Sequence, residues 1–298
     1  CIARRLVTLN RRSLRATRSL FLPHLHRHAD SNYRRSMLNL DFINRTAKIS
    51  RIIMIRIENL TQSYGLKNIN CHIPQGKLVG IMGANGTGKS TLLKTIAGIL
   101  PIADGEIWFN HDKLSTMSAS QKSRQLAYLA QNIEIHWDLS VYDVIALGLS
   151  NPLNKAKEQE KVQSISDTFS VSHLLKKPFR QLSGGEKSRV QLARCCIKGA
   201  PLLLADEPIA ALDPYYQIDI MEQLKSLTPK HTVAVAIHHL SLAYKFCDEV
   251  ILLHNGKIIA NGETQIVLNT ENLAKAFGVK VKFDRIKKEI FGIEKLEI

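Results

Sequence analysis

Gly83-Ala84-Asn85-Gly86-Thr87-Gly88-Lys89-Ser90-Thr91 lies between an apolar strand pattern, Leu78–Met82, and a helix pattern, Leu92–Ile96. The spacing is G-x-x-x-x-G-K-[ST] in a strand–loop–helix context. Glycines let backbone N–H groups close around phosphate oxygens where side chains would block the approach. The following helix directs its positive end at the same phosphates. Lys89 adds a point charge toward the β- and γ-phosphates, and the Ser90 hydroxyl can ligate magnesium. The stretch predicts a nucleotide triphosphate site with Mg2+, set in an α/β fold.

Two further stretches extend that site. Leu202 to Pro208 reads LLLADEP, a buried-strand run ending in two acids. Buried acids are costly without partners or chemistry. At a strand's carboxyl end they lie where open α/β sheets bind ligands. Asp206 suits the magnesium shell. Glu207, one residue on, points elsewhere and is assigned to polarising the attacking water. Gln181 to Arg194 reads QLSGGEKSRVQLAR, and Ser183-x-x-Glu186 has capping-box spacing at a helix start. Gly184 and Gly185 in the first turn make this a second anion-binding helix terminus. One nucleotide cannot readily use both termini of one molecule. A two-fold dimer, each copy closing its partner's site, resolves the conflict.

Composition bounds the rest. Of 298 residues, 45% are apolar, enough to bury a core. The net charge of +15 is uneven: residues 1–53 carry twelve Lys/Arg and two Asp/Glu, against 29 and 24 in the remainder. Residues 1–53 therefore read as a basic, poorly ordered N-terminal extension, with His24, His26 and His28 alternating and Met37 and Met54 as candidate starts. A nucleic-acid or lipid-binding arm and a targeting segment are the competing readings of it. The five cysteines show neither metal nor disulfide spacing, which predicts reduced thiols. No apolar run reaches the roughly 18 residues of a membrane-spanning helix.

From Met54 onward short strands at Met54–Leu60, Ile69–Ile73 and Gly105–Phe109 predict an antiparallel β-layer. Residues 132–181 read as a helical subdomain, starting at Ser140-x-x-Asp143. The runs Leu202–Ala205, Val233–Ile237 and Val250–Leu253 alternate with helices, which predicts a mostly parallel sheet covered on both faces. Residues 256–298 read as a basic α/β extension.

These motifs, in this order, resemble the ATP-binding subunit of an ABC transporter from about Met54 to the C-terminus. Residues 83–91 resemble its Walker A loop, Leu182–Glu186 its signature and Leu202–Pro208 its Walker B strand. By that resemblance, Gln131 is similar to the glutamine that senses metal and γ-phosphate. His238 is similar to the switch histidine, with His239 as the rival assignment. Tyr64 resembles the aromatic that stacks on adenine, and Asp213 the aspartate at the dimer seam. Ile209-Ala210 stands where hydroxyl residues are usual. The resemblance implies ATP and Mg2+ as cofactors, held between two copies. Gly83, Ala84, Asn85, Gly86, Thr87, Gly88, Lys89, Ser90 and Thr91 would come from one copy, and Ser183, Gly184 and Gly185 from the other. Ser90, Gln131 and Asp206 would be the metal-side residues. Lys89, Gln131, Glu207 and His238 would act on the γ-phosphate and water.

Val141–Gly148 and Ala276–Val281 resemble the iron-siderophore, haem and cobalamin importer group, although that group's helical subdomain is usually longer between Gly148 and Gln181. The implied partners are a two-copy transmembrane permease, docking near Gln131 to Tyr142, and indirectly a substrate-binding protein. No nucleic acid is expected, and the implied location is the cytoplasmic face of the inner membrane, peripherally bound. Another small-molecule or metal-ion transporter, importer or exporter, and a non-transport ATPase acting on nucleic acid or ribosomes are the alternatives.

Overall fold

The computed structural model describes residues 53–131, 137–149, 153–210 and 212–296. The basic stretch, including the alternating histidines, lies outside the described residues apart from position 53. So do five residues of the stretch expected to meet a permease, 132–136.

The described chain builds two sheets and a hairpin. The first is antiparallel, in the order β2-β1-β4-β5. Its strands are β1 (Ile53–Gln62), β2 (Leu66–Pro74), β4 (Asp104–Phe109) and β5 (Asp112–Lys113). The second has six strands, β10-β9-β3-β8-β7-β6. In it β3 (Leu78–Met82), β6 (Leu126–Leu129), β7 (Leu202–Asp206), β8 (Thr232–Ala236) and β9 (Glu249–His254) run parallel. Antiparallel β10 (Lys257–Glu263) closes one edge. A separate hairpin joins β11 (Val279–Asp284) to β12 (Glu289–Lys295).

Alternation explains the continuous apolar runs. Leu202, Leu204, Ala234 and Ala236 point into a core shared with Ile57, Leu60 and the antiparallel sheet. Leu203, Ala205, Val233 and Val235 point into a second core on the opposite face. Both faces of the parallel strands are covered, so no position is left for a polar residue until the strand ends. Helix α1 (Lys89–Ile96) packs Leu92, Leu93 and Ile96 into the first core. Helix α2 (Ala119–Gln125) leads into β6 and has a capping box of its own, Ser118 with Gln121.

Helices α3 (Val141–Ala146), α4 (Lys155–Thr168) and α5 (Gly184–Cys196) line the second core. The Ser140 and Asp143 side chains cap α3 reciprocally, as their spacing predicts. Helix α4 buries only Val162 and Ser166, which matches its polar sequence. Helix α6 (Pro214–Ser226) starts on Pro214, α7 (Leu240–Phe246) follows β8, and α8 (Thr264–Val267) and α9 (Thr270–Phe277) precede the hairpin. Cys71, Cys195, Cys196 and Cys247 are free thiols. Burial pushes all four up, Cys71, Cys196 and Cys247 to about 12, which keeps them as unreactive thiols.

Gly256 fastens the two sheets together. Its carbonyl accepts from Lys67 N–H at 2.8 Å, its φ is 73°, and a Cβ there would sit 1.8 Å from the Gly65 carbonyl oxygen. Gly256→Ala adds both left-handed strain and a backbone clash. It is expected to cost about 2 kcal/mol or more and to lower Tm by roughly 4–8 °C in calorimetry. An unchanged Tm would show that the two sheets tolerate separation at this point.

Candidate functional site

Four strands of the main sheet deliver their carboxyl ends to one place. The phosphate loop follows β3, Gln131 follows β6, Asp206 and Glu207 end β7, and His238 follows β8. Adjacent strands in the order β3-β8-β7-β6 carry these ends side by side, the position where open α/β sheets take ligands.

The loop has the backbone its glycines predict. Gly83, Gly86 and Gly88 have φ of 152°, 78° and 103°. A Cβ at Gly83 would lie 2.5 Å from the Leu253 carbonyl and 2.6 Å from Thr87 Oγ1, so the loop is packed tightly on β9. The Thr87 hydroxyl donates to the Ala84 carbonyl at 2.8 Å, fixing the turn from inside. Gly88 caps α1 without a side-chain bond, and no acid occupies the first turn. The first N–H groups of α1 therefore remain available to an anion.

Lys89 is 5% exposed. Its ammonium donates to the Gly83 carbonyl at 3.0 Å and the Ala84 carbonyl at 3.2 Å, and lies 3.8 Å from Glu207 Oε1. The Ser90 hydroxyl donates to Asp206 Oδ1 at 2.8 Å. Glu207 Oε2 accepts from Gln131 Nε2 at 2.8 Å. Glu207 has a left-handed backbone, φ 49°, and its N–H donates to the Ala236 carbonyl at 3.2 Å. That conformation lets two successive acids face different partners, Asp206 toward Ser90 and Glu207 toward Lys89 and Gln131. Strained backbone of this kind costs of order 1–3 kcal/mol and persists where its surroundings over-determine it.

Tyr128 was not evident from the sequence. Its hydroxyl donates to Asp206 Oδ2 at 3.0 Å. Burial, and then the Asp206 charge, hold the phenol above its ordinary pKa, so it stays a protonated donor. The available signal was a hydroxyl-bearing residue in an otherwise apolar strand pattern three positions before Gln131.

The remaining candidates stand apart in one copy of the chain. Tyr64 is 70% exposed, on the turn between β1 and β2. His238 is exposed beyond β8. His239 caps α7, its Nδ1 accepting from Leu242 N–H at 3.4 Å. Partial burial and neighbouring His238 lower its pKa, which favours the neutral ring. The ring of His239 is thus engaged with its own helix. Asp213 caps α6 without a side-chain bond and is exposed.

Ser183 caps α5, accepting from Glu186 N–H, while Glu186 accepts from Ser183 N–H at 2.8 Å. That backbone bond is the main cause of the lowered Glu186 pKa. The two glycines differ. Gly184 is exposed, whereas Gly185 is buried under Tyr216, whose ring would come within 2.5 Å of a Cβ. Gly185 therefore serves close packing of α5 on α6 as well as the open first turn.

Similarity to known proteins follows the same residues. A family profile described as ABC transporter matches residues 66–210. The hemin import ATP-binding protein HmuV of Pseudoalteromonas translucida is 37% identical over 231 residues, 74% of this chain and 88% of the relative. The chain belongs to the ABC transporter family. The ferric enterobactin transport ATP-binding protein FepC of Escherichia coli is 30% identical over 240 residues, 77% of this chain and 89% of that one. A dimeric ATP-binding cassette solved in a post-hydrolysis state with ADP and Pi aligns with a TM-score of 0.64 and 25% identity. The alignment spans 71% of this chain and 99% of that one. This cassette is accordingly an ATP-binding ATPase of the α/β class, with a mostly parallel sheet and an antiparallel layer. Among its described residues, no helix is long and apolar enough to cross a membrane.

Proposed function

We propose that two copies of this cassette power an importer for an iron-bearing organic cargo, haem or a ferric siderophore, or for the related cobalamin. The observation that carries this reading is the hydrogen-bonded pairs Ser90–Asp206 and Gln131–Glu207, with Lys89 ion-paired to Glu207. This arrangement occurs in a chain 37% identical to a hemin import ATP-binding protein. Two copies, each offering its phosphate loop to the other's Ser183-Gly184-Gly185 terminus, would enclose two ATP molecules. Asp206 and Ser90 present hard oxygen donors 2.8 Å apart, a pairing that suits Mg2+. Those two side chains would hold the ion, which would supply positive charge to offset that of the phosphates.

In this reading Lys89 holds the γ-phosphate, Glu207 polarises the attacking water, and Gln131 and His238 orient water and phosphate. Tyr64, already exposed, stacks on the base. Release of Gln131 from Glu207 is the step that frees the carboxylate for water.

The cassette would sit on the cytoplasmic face of the inner membrane, bound to two permease copies and served indirectly by a substrate-binding protein. A groove of about 390 Å³ offers a docking place for a permease helix. Its walls include Tyr128, Leu147, Leu149, Arg194 and Lys198 but none of the described residues of the expected 131–142 stretch, so the proposed docking place is shifted from the expected one. Leu147 is 62% exposed there, an apolar side chain ready for a partner.

The test is growth on defined iron sources. Deleting the gene is expected to abolish growth on haemin, on a ferric siderophore or on both. The intact gene should restore growth, and a Glu207→Gln version should not. Undiminished growth on every iron source, with cobalamin uptake also intact, would reject this cargo class.

A further inference from the structure

We propose that Tyr128 is a positioning residue that sets the orientation of the Asp206 carboxylate for the metal ion. The inference rests on the assignment of Asp206 to the magnesium side of the site. Strand register pairs Tyr128 with Leu204. Its side chain therefore shares a sheet face with Leu204 and, two residues further on, with Asp206.

Asp206 is 2% exposed, so its two oxygens have no solvent to satisfy them. Oδ1 accepts from Ser90 at 2.8 Å and Oδ2 from Tyr128 at 3.0 Å. These donors come from different elements, α1 and β6. One hydrogen bond alone would leave the carboxylate free to turn about its last torsion, which is broad and roughly two-fold. The second donor removes that freedom. It also leaves Oδ1 directed at Ser90, at the end of the phosphate loop.

Tyr128 is itself anchored. Its carbonyl accepts from Cys195 Sγ of α5 at 3.6 Å, and its strand is paired with β7 along its whole length. The hydroxyl touches neither the phosphate loop nor Glu207 in the hydrogen bonds described, so its route to the chemistry runs through Asp206. Partners that orient a metal-binding carboxylate typically contribute 10–100-fold to metal affinity.

Tyr128→Phe deletes this donor and nothing else. The purified full chain would be titrated with Mn2+, followed by electron paramagnetic resonance, in the presence of a non-hydrolysable ATP analogue. The variant is expected to bind Mn2+ about 10-fold more weakly. Nucleotide binding in EDTA should stay within about twofold of the parent, since the phosphate loop is untouched. The Mg2+ concentration giving half-maximal ATPase should rise, with kcat recovered at saturating Mg2+.

Asp206→Asn is the companion variant. It should lose Mn2+ binding, and adding Tyr128→Phe to it should change nothing further. Parental Mn2+ affinity in Tyr128→Phe, while Asp206→Asn loses it, overturns the role of Tyr128 alone. Parental affinity in Asp206→Asn overturns the metal assignment of Asp206 beneath it. Loss of metal-free nucleotide binding in Tyr128→Phe marks a general structural effect and likewise rejects the proposal.

Discussion

Replacing Glu207 with glutamine is expected to stop turnover without releasing ATP. Glutamine keeps the length of the side chain, and its amide oxygen can still accept from Gln131, which now bonds Oε2 at 2.8 Å. What disappears is the carboxylate charge. Lys89, 3.8 Å away, loses its anionic neighbour and remains fully available to phosphate. Water loses its base. General-base catalysis contributes about 10²–10⁴ in rate, so kcat should fall by at least about 10²-fold. ATP affinity should hold or improve slightly, and ATP-loaded dimers should accumulate in size-exclusion chromatography. Single-turnover hydrolysis within threefold of the parent would remove Glu207 from its assigned role.

Lys89→Ala is expected to act one step earlier, on binding. The ammonium is buried, and it supports the loop as well as the nucleotide through the Gly83 and Ala84 carbonyls. Alanine removes the charge facing the phosphates and leaves both carbonyls without this donor. A hydrogen bond to a charged group contributes about 1.5–3 kcal/mol, so the ATP Kd should rise at least roughly 10–100-fold in calorimetric titration. The same loss should erase most of the increase in Tm that ATP gives the parent. Lys89→Arg should not rescue binding, because a planar fork cannot replace a compact ammonium between two loop carbonyls. Parental ATP affinity in Lys89→Ala would contradict the phosphate-loop reading.

Much of this architecture was legible because its elements obey local rules. Strands buried on both faces must be apolar between their ends, and β3, β7, β8 and β9 are. The phosphate loop is legible because the positive-φ backbone at positions 83, 86 and 88 favours glycine. The edge strands escaped for the opposite reason. β10, Lys257–Glu263, is half-exposed and carries Asn261 and Gly262, so it resembles a loop, yet it closes the main sheet. A division at Gly256 therefore cuts through the β9–β10 pair. β6 is only four residues long and gains its place from pairing with β7.

Within the site, sequence order supplied the residue types but not their pairings. Nothing local predicts that Tyr128 reaches Asp206 across 78 positions, or that Glu207 turns through a left-handed backbone to meet Gln131. Of the two adjacent histidines, His238 is preferred from the sequence because it directly follows the apolar run Val233–Ile237, and His239 caps its own helix.

The strand that carries the phosphate loop has one further consequence, for the timing of biogenesis. β3 leaves the ribosome early, but its neighbours are β8 and β9, which begin at Thr232 and Glu249. Leu253, against which Gly83 packs, comes later still. Pairings across such separations form slowly, after the intervening chain exists. A nascent chain that stops short of β9 carries the complete Gly83–Thr91 motif without the strand that shapes it. The packing of the loop on its supporting strand is thus completed only after β9 has been made.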